Sequence, residues 1–514
     1  MLHMRLYSAL YRHRTCPSAA ILTGRRFQSS RRAPWLKDAI PETSVFVQET
    51  FAKQTLFVLD VGKRVLKFSS IGLLAFGATT AAVYEGVHMW VENVELASEA
   101  DDEVRKWEWD QESEKWTGDS PRGGTDPGLG LKGRHVVRAA WMAYNWGVGF
   151  STSVIGSEAV RGEGLVGPGG IKVIDAGLQR TDDFLRTAIS IAEKRATNLY
   201  SQTITELIAR HAAVLERLGQ QFLPESQAQY ERVWAGLVGK GSDAIRTALK
   251  LGDLCSRLGQ TDDALAWWFR AIHIIRGEAL DSVDTLPAVL DSVPSSPSGQ
   301  RLLSAALVSL SAFYAMSGQL HHAQSIEKAG LKMLGSIRPP ESLTSTSPPQ
   351  SLHTLYLFQQ SSLLSIHLAE VLHAQRKPAG LSIQWLTSAA ESSEQVARAL
   401  TGHSLGDNDI PEHLEKPLSS VFTYSRSMKK VAHGLLRDSR RTAAEAWNLM
   451  GILNEAQGQN VLALRCYERA VNWAGTSTDH PHVKRAAEGT LDTDWVVFWG
   501  NYVRIKKLVA QVKI

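Results

Sequence analysis

Trp447, Gly451, Gly458, Ala463, Tyr467 and Ala470 follow one another at spacings of 4, 7, 5, 4 and 3 residues. Ala248, Gly252, Gly259, Ala264, Trp268 and Ala271 repeat those intervals 199 positions earlier. No other pattern restricts the fold of this 514-residue chain as tightly. Steps of three and four residues keep side chains on one face of a helix. Gly458 and Gly259 stand where the chain turns between two helices, and a left-handed backbone there costs glycine little. Gly451 with Ala463, and Gly252 with Ala264, fall where the two helices cross most closely, so a bulky side chain would push them apart. Tyr467 and Trp268 fill the gap to the neighbouring hairpin, while Ala470 and Ala271 let the next helix approach. A lone hairpin of this kind cannot bury its apolar face, so the pattern predicts a stack.

These residues resemble the tetratricopeptide repeat (TPR) family, whose 34-residue unit carries small and aromatic residues in this order. The resemblance is specific at 245–278 and 444–477 and looser between them. Leu307, Leu310, Tyr314, Gly318 and Ala323 fit half of the ruler, but Glu327 stands in the aromatic slot and Gly330 in the small one. Around 365–388 only Ala369 and Trp385 fit, with a turn at Lys377-Pro378. Residues 182–220 show helical periodicity and are expected to form one more, divergent hairpin. The expected fold is all-α: a TPR-like helical-hairpin solenoid over 181–478. In the family register Arg246, Leu249, Asp253 and Arg257 would face the concave groove, as would Asn448, Ile452 and Glu455. Leu249 and Asp253 occupy slots where chaperone-binding members carry Lys and Asn, which speaks against capture of acidic chaperone tails.

The first 37 residues hold eight Arg and Lys and no acid. An Arg-rich, Ser-containing start with a short apolar face reads as a mitochondrial presequence over 1–27, with a processing site at Arg25-Arg26-Phe27. Removing its five Arg turns the net charge from +4 to −1, so the basic balance gives no reason to expect a nucleic-acid partner. After a short matrix-side segment (28–67), residues 68–84 run without a charge. A membrane helix over 68–90 is expected, flanked by Lys63, Arg64 and Lys67 before it and by acids from Glu85 onward after it. That asymmetry predicts a matrix-facing N-terminus and a C-terminal domain in the intermembrane space. Ala139–Ser157 is also uncharged but richer in glycine and hydroxyls; it is expected to pack on the protein or at the membrane surface, with a second span left open.

The connector at 91–135 is acidic and carries Trp107, Trp109 and Trp116. Its first part is expected to extend the membrane helix into solvent. A helical, Gly-rich stretch (136–180) leads into the array, and residues 479–514 are expected to supply an amphipathic capping helix. No glycine run carries the Gly-Lys-Ser/Thr of a phosphate loop, and His367, Glu370 and His373 miss the zinc-protease spacing. The pattern therefore predicts no enzyme, no metal and no cofactor.

Presequence, one span and a repeat domain together resemble the TPR adaptor subunit of the inner-membrane i-AAA protease. A TPR-type assembly factor for respiratory complexes has the same outline. The implied role is a scaffold for protein partners, either protease or respiratory-complex subunits. An outer-membrane precursor receptor and, further off, an enzyme with a helical domain remain open.

Overall fold

The computed structural model describes residues 45–112, 114–116, 123–147, 154–155, 173–174, 176–237, 241–277, 293–340, 342–343, 345–402, 418–474 and 494–512. The presequence and the runs 156–172 and 403–417 therefore lie outside the described residues. The chain divides into two units, Met1–Ala81 and Ala82–Ile514.

In the first unit the described residues are helical. They begin α1, Val45–Trp90, whose 46 residues extend about 70 Å at 1.5 Å per residue. Leu66, Leu73, Leu74 and Phe76 are each more than two-thirds exposed. Among the described residues one helix, Lys53–Glu95, is long and apolar enough to cross a membrane.

The second unit is a stack of helices. After a short π-helical turn (Val91–Glu95) and α2 (Asp102–Lys106) come α3 (Gly130–Trp146), α4 (Ala176–Lys194), α5 (Thr203–Leu218), α6 (Leu223–Gly236), α7 (Ser242–Arg257) and α8 (Thr261–Arg276). The chain continues with α9 (Pro297–Met316), α10 (Leu320–Ser336), α11 (Pro348–Ala374), α12 (Ala379–Thr401), α13 (Arg426–Ala456), α14 (Asn460–Trp473) and α15 (Asp494–Val512). A two-residue antiparallel pairing, Val154 opposite Ile174 and Ile155 opposite Val173, is the strand content of the described residues.

Consecutive helices pair as hairpins: α3 with α4, α5 with α6, and so on to α13 with α14. Each hairpin also packs on the next, and the first helices α7, α9, α11 and α13 touch in succession, forming one continuous inner row. This is a TPR-like solenoid. Four of its turns share one geometry. Gly259, Gly318, Arg376 and Gly458 have φ of 77°, 75°, 58° and 76°. The following N–H then reaches back to the carbonyl of the last helical turn, as in Gln260 to Cys255 and Gln459 to Asn454, at 2.8 and 2.9 Å.

Close approach explains the small residues. A Cβ on Gly252 would sit 2.5 Å from Trp268 Nε1, and one on Gly451 would sit 2.5 Å from Tyr467 Cε1. Ala264, Ala271, Ala463 and Ala470 are fully buried at the neighbouring crossings. Trp447 and Trp473 both donate to Glu394 of α12, at 2.6 and 2.7 Å, tying the last hairpin to the one before. The C-terminal α15 lays Phe498, Tyr502, Ile505 and Val509 against this end.

Three expectations change. The array begins at Gly130 rather than 181, because α3 is the partner of α4; the divergent hairpin placed at 182–220 is instead the junction of two hairpins. The uncharged run 139–157 is not one helix: α3 stops at Trp146, with Gly147 at φ 61°, while Ala140, Trp141 and Ala143 are buried in the array. The acidic connector continues the helix only as far as Glu95, with Val91 and Glu92 already buried, and then turns inward instead of running out into solvent.

Candidate functional site

Residues 97–112 and 114–116 lie along a channel-like groove on the inner row of helices, as a strap whose neck is at Ala97 and Gly123. That neck is pinned. Ala97 pairs with Gly123, and Gly124 N–H donates to Leu96 O at 2.6 Å. A Cβ on Gly123 would lie 2.3 Å from Ser98 N, so glycine is required for this closure. Below the neck Glu92 accepts from Thr125 N–H and Oγ1, at 2.9 and 2.6 Å, and from Arg134 at 2.8 Å.

From the neck the strap meets one hairpin after another. Ser425 donates to Glu99 at 2.7 Å, and Arg426 donates to the carbonyls of Val94 and Ala97. Val104 is fully buried in the apolar cluster that contains Leu352 and Val396. Glu108 then accepts from Ser296 Oγ at 2.6 Å and Ser298 N–H at 2.8 Å, the second satisfying a backbone donor at the start of α9. Trp109 is fully buried, its Nε1 donating to Pro349 O at 2.9 Å. Burying an indole removes about 150–250 Å² from water, roughly 4–6 kcal/mol at about 25 cal/mol/Å².

Arg301 of α9 is the centre of the contact. Its guanidinium stacks 3.9 Å from the Trp109 ring and donates to Glu112 at 3.1 Å, Trp107 O at 3.1 Å and Glu108 O at 3.0 Å. From the solenoid itself, the His353 ring nitrogen Nδ1 lies 3.2 Å from the same guanidinium. Burial lowers the Arg301 pKa, with Glu112 opposing, and burial beside this cation pushes His353 down to about 3, keeping its imidazole neutral. Further along, Glu112 also pairs with Arg246 of α7 at 3.3 Å, and Lys115 pairs with Asp243 at 3.2 Å. Glu114 meets Arg210 of α5, Lys430 of α13 and the Tyr144 hydroxyl. Burial alone would raise the Glu114 carboxyl, but Arg210 and Lys430 outweigh it and hold it below its ordinary value.

Beside the strap a cavity of about 470 Å³ stays open. Arg210, Arg217, Arg246, Lys250 and Arg257 line it from the solenoid, with Glu216 between Lys250 and Arg257 at 3.3 and 2.8 Å.

The groove residues expected from the sequence divide accordingly. Arg246 and Arg257 line this cavity. Asp253 does not; it accepts from Trp268 Nε1 at 3.1 Å, and burial raises its carboxyl. At the other end α15 covers the inner helix: Asn448 is buried and accepts from Asn501 at 3.0 Å, and Glu455 takes Arg504 and the Tyr467 hydroxyl. Ile452 remains exposed. Arg301, Arg210 and Lys430 are the channel residues that sequence reasoning missed. No local motif marks them, although three Trp in an acidic stretch mark the strand of chain they hold. His367 hydrogen-bonds Ser311 at 2.7 Å, Cys255 and Cys466 are buried free thiols, and burial pushes Cys255 up to about 11. His321 and His322 are exposed. Among the described residues no cluster of three or more His, Cys, Asp or Glu could hold a metal ion.

No family model and no curated protein matches the chain. Among solved structures, one titled human IFIT1 dimer with PPP-AAAA aligns over 66% of this chain and 83% of that chain, at 14% identity and a TM-score of 0.17. A superposition at that score carries no weight, and the repeat architecture rests on the hairpins themselves.

Proposed function

We propose that this chain is a non-catalytic scaffold of the mitochondrial inner membrane that binds protein partners through its helical array. The observation that carries the reading is the channel: six stacked hairpins whose inner helices already hold a stretch of polypeptide by side-chain and carbonyl contacts. Repeat arrays present such surfaces to extended segments or partner helices. Two sequence features support the address. The N-terminus is Arg-rich and acid-free, and α1 is long and apolar enough to span a bilayer, with Lys63, Arg64 and Lys67 before its uncharged run. In this reading α1 crosses once and the array works in the intermembrane space, presenting substrates to the i-AAA protease or holding subunits of a respiratory complex during assembly.

Protease protection of a C-terminally tagged chain tests the address. Loss of the tag only after the outer membrane is ruptured is the expected result, whereas protection in mitoplasts would move the array to the matrix and cleavage in intact mitochondria would move it to the cytosol. Cross-linking from Arg257 and Ile452 in intact mitochondria tests the scaffold role. Adducts with inner-membrane complex subunits are expected, and an absence of protein adducts at both positions would sink it.

A further inference from the structure

We propose that the channel is a binding site for an acidic, tryptophan-bearing segment of a partner protein, and that residues 99–116, coiled as α2 and a following 3-10 turn, occupy that site in cis until such a segment replaces them. The inference rests on the scaffold reading above and names the chemistry of its partner.

The channel wall specifies the ligand. Nearly every polar contact of buried Arg301 is made to the strap: a carboxylate, two backbone carbonyls and the face of an indole. Arg246, Arg210 and Lys430 add cations that meet Glu112 and Glu114. Withdrawing the strap would strand a desolvated guanidinium, so an empty channel is unfavourable. What enters must replace an acid, exposed backbone carbonyls and an aromatic ring together. A polyanion without aromatic rings or backbone carbonyls supplies only the first.

The strap is also built to leave as a unit. Its two ends meet at the Ala97–Gly123 pairing, and Glu92, Thr125 and Arg134 clamp the chain below that neck without using any strap residue. Opening the loop therefore need not disturb the base. The cavity beside Glu112 and Glu114 brings an incoming acidic segment up to Arg217, and to Lys250 and Arg257 in competition with their partner Glu216, before any strap contact is lost.

The test uses the full chain in detergent micelles and a fluorescein-labelled synthetic peptide of residues 99–116. A site that its own strap leaves open a tenth of the time binds an outside peptide about ten-fold more weakly than an open one. The double variant Trp109→Ala, Glu112→Gln is therefore expected to bind the peptide at least about ten-fold more tightly than the wild type. Adding Arg301→Gln should remove the gain, and a peptide carrying Trp109→Ala and Glu112→Gln should not compete. A folded double variant that binds no better than the wild type overturns the proposal. So does a single-stranded oligonucleotide that competes as well as the peptide. If the double variant does not fold, hydrogen exchange on the wild type decides. Strap amides exchanging by local opening, ahead of α9 and α11, support displacement, and strap amides exchanging only together with those helices overturn it. Cross-linked partners without a peptide gain would sink the strap and leave the scaffold reading; a peptide gain without cross-linked partners would do the reverse.

Discussion

The α13–α14 and α9–α10 hairpins share a turn, a helix pairing and a place in the inner row, yet they are plugged differently. In the first, the Tyr467 ring lies over Gly451 and its hydroxyl donates to Glu455 at 2.8 Å. In the second, the residue four positions after the small Ala323 is Glu327, fully buried, with both carboxylate oxygens lacking a hydrogen-bond partner. Burial, aided by Glu370, pushes its pKa up to about 8. Ser311 stands where the ruler has Gly451, and it hydrogen-bonds His367 of α11 instead of admitting a ring. One hairpin is closed by shape and the other by a neutralised acid. A repeat framework therefore tolerates a polar plug, at the expense of a stability that depends on pH.

The largest way to break this contrast is to remove the ring. Tyr467→Ala is expected to cost about 3–5 kcal/mol, lowering the melting temperature and loosening α15 with it. Gly451→Val, which forces a side chain against that ring, should cost about 1–3 kcal/mol in the same melting experiment. The acid plug should respond in the opposite sense. Glu327→Gln keeps the shape and removes the charge, so a gain that grows with pH to about 3–5 kcal/mol at pH 8.5 is expected, vanishing below pH 4. The sign follows from proton counts. Between the unfolded value near 4.5 and the folded value of about 8 the native state binds the extra proton, so this group's contribution falls as pH rises, by up to about 1.4 kcal/mol per unit. A melting temperature of Glu327→Gln that tracks the wild type across that window would refute the buried-acid account. The smallest effect belongs to the turns. Arg376 holds φ 58° where three sister turns have glycine, and Arg376→Gly should gain about 0.5 kcal/mol, the balance of relieved strain against added chain entropy.

The hairpins at 245–278 and 444–477 were legible because their small and aromatic residues answer a steric demand that only a few side chains satisfy. Glu327 was visible as an exception for the same reason. The first hairpin was not legible as such: Val137, Ala140, Trp141 and Ala143 lie on one buried face of α3, but the surrounding uncharged run reads equally well as membrane-facing. The strap's destination was hidden by chemistry. A row of acids suits open water as well as a channel, and its partners Arg210, Arg246, Arg301 and Lys430 are scattered over four inner helices.

A solenoid couples each repeat only to its neighbours, so its stability is a sum of local parts and its ends fray. The strap changes that arithmetic. Contacts such as Arg301 to Glu108, 193 residues apart, and Arg426 to Ala97, 329 apart, join hairpins to a segment that precedes them all in the chain. An array crossed by such links has the long-range contact order of a globular domain, and it should fold more slowly and melt more nearly as one unit than its local helices alone would. Seating the strap is then also what lets one end of the stack register the state of the other.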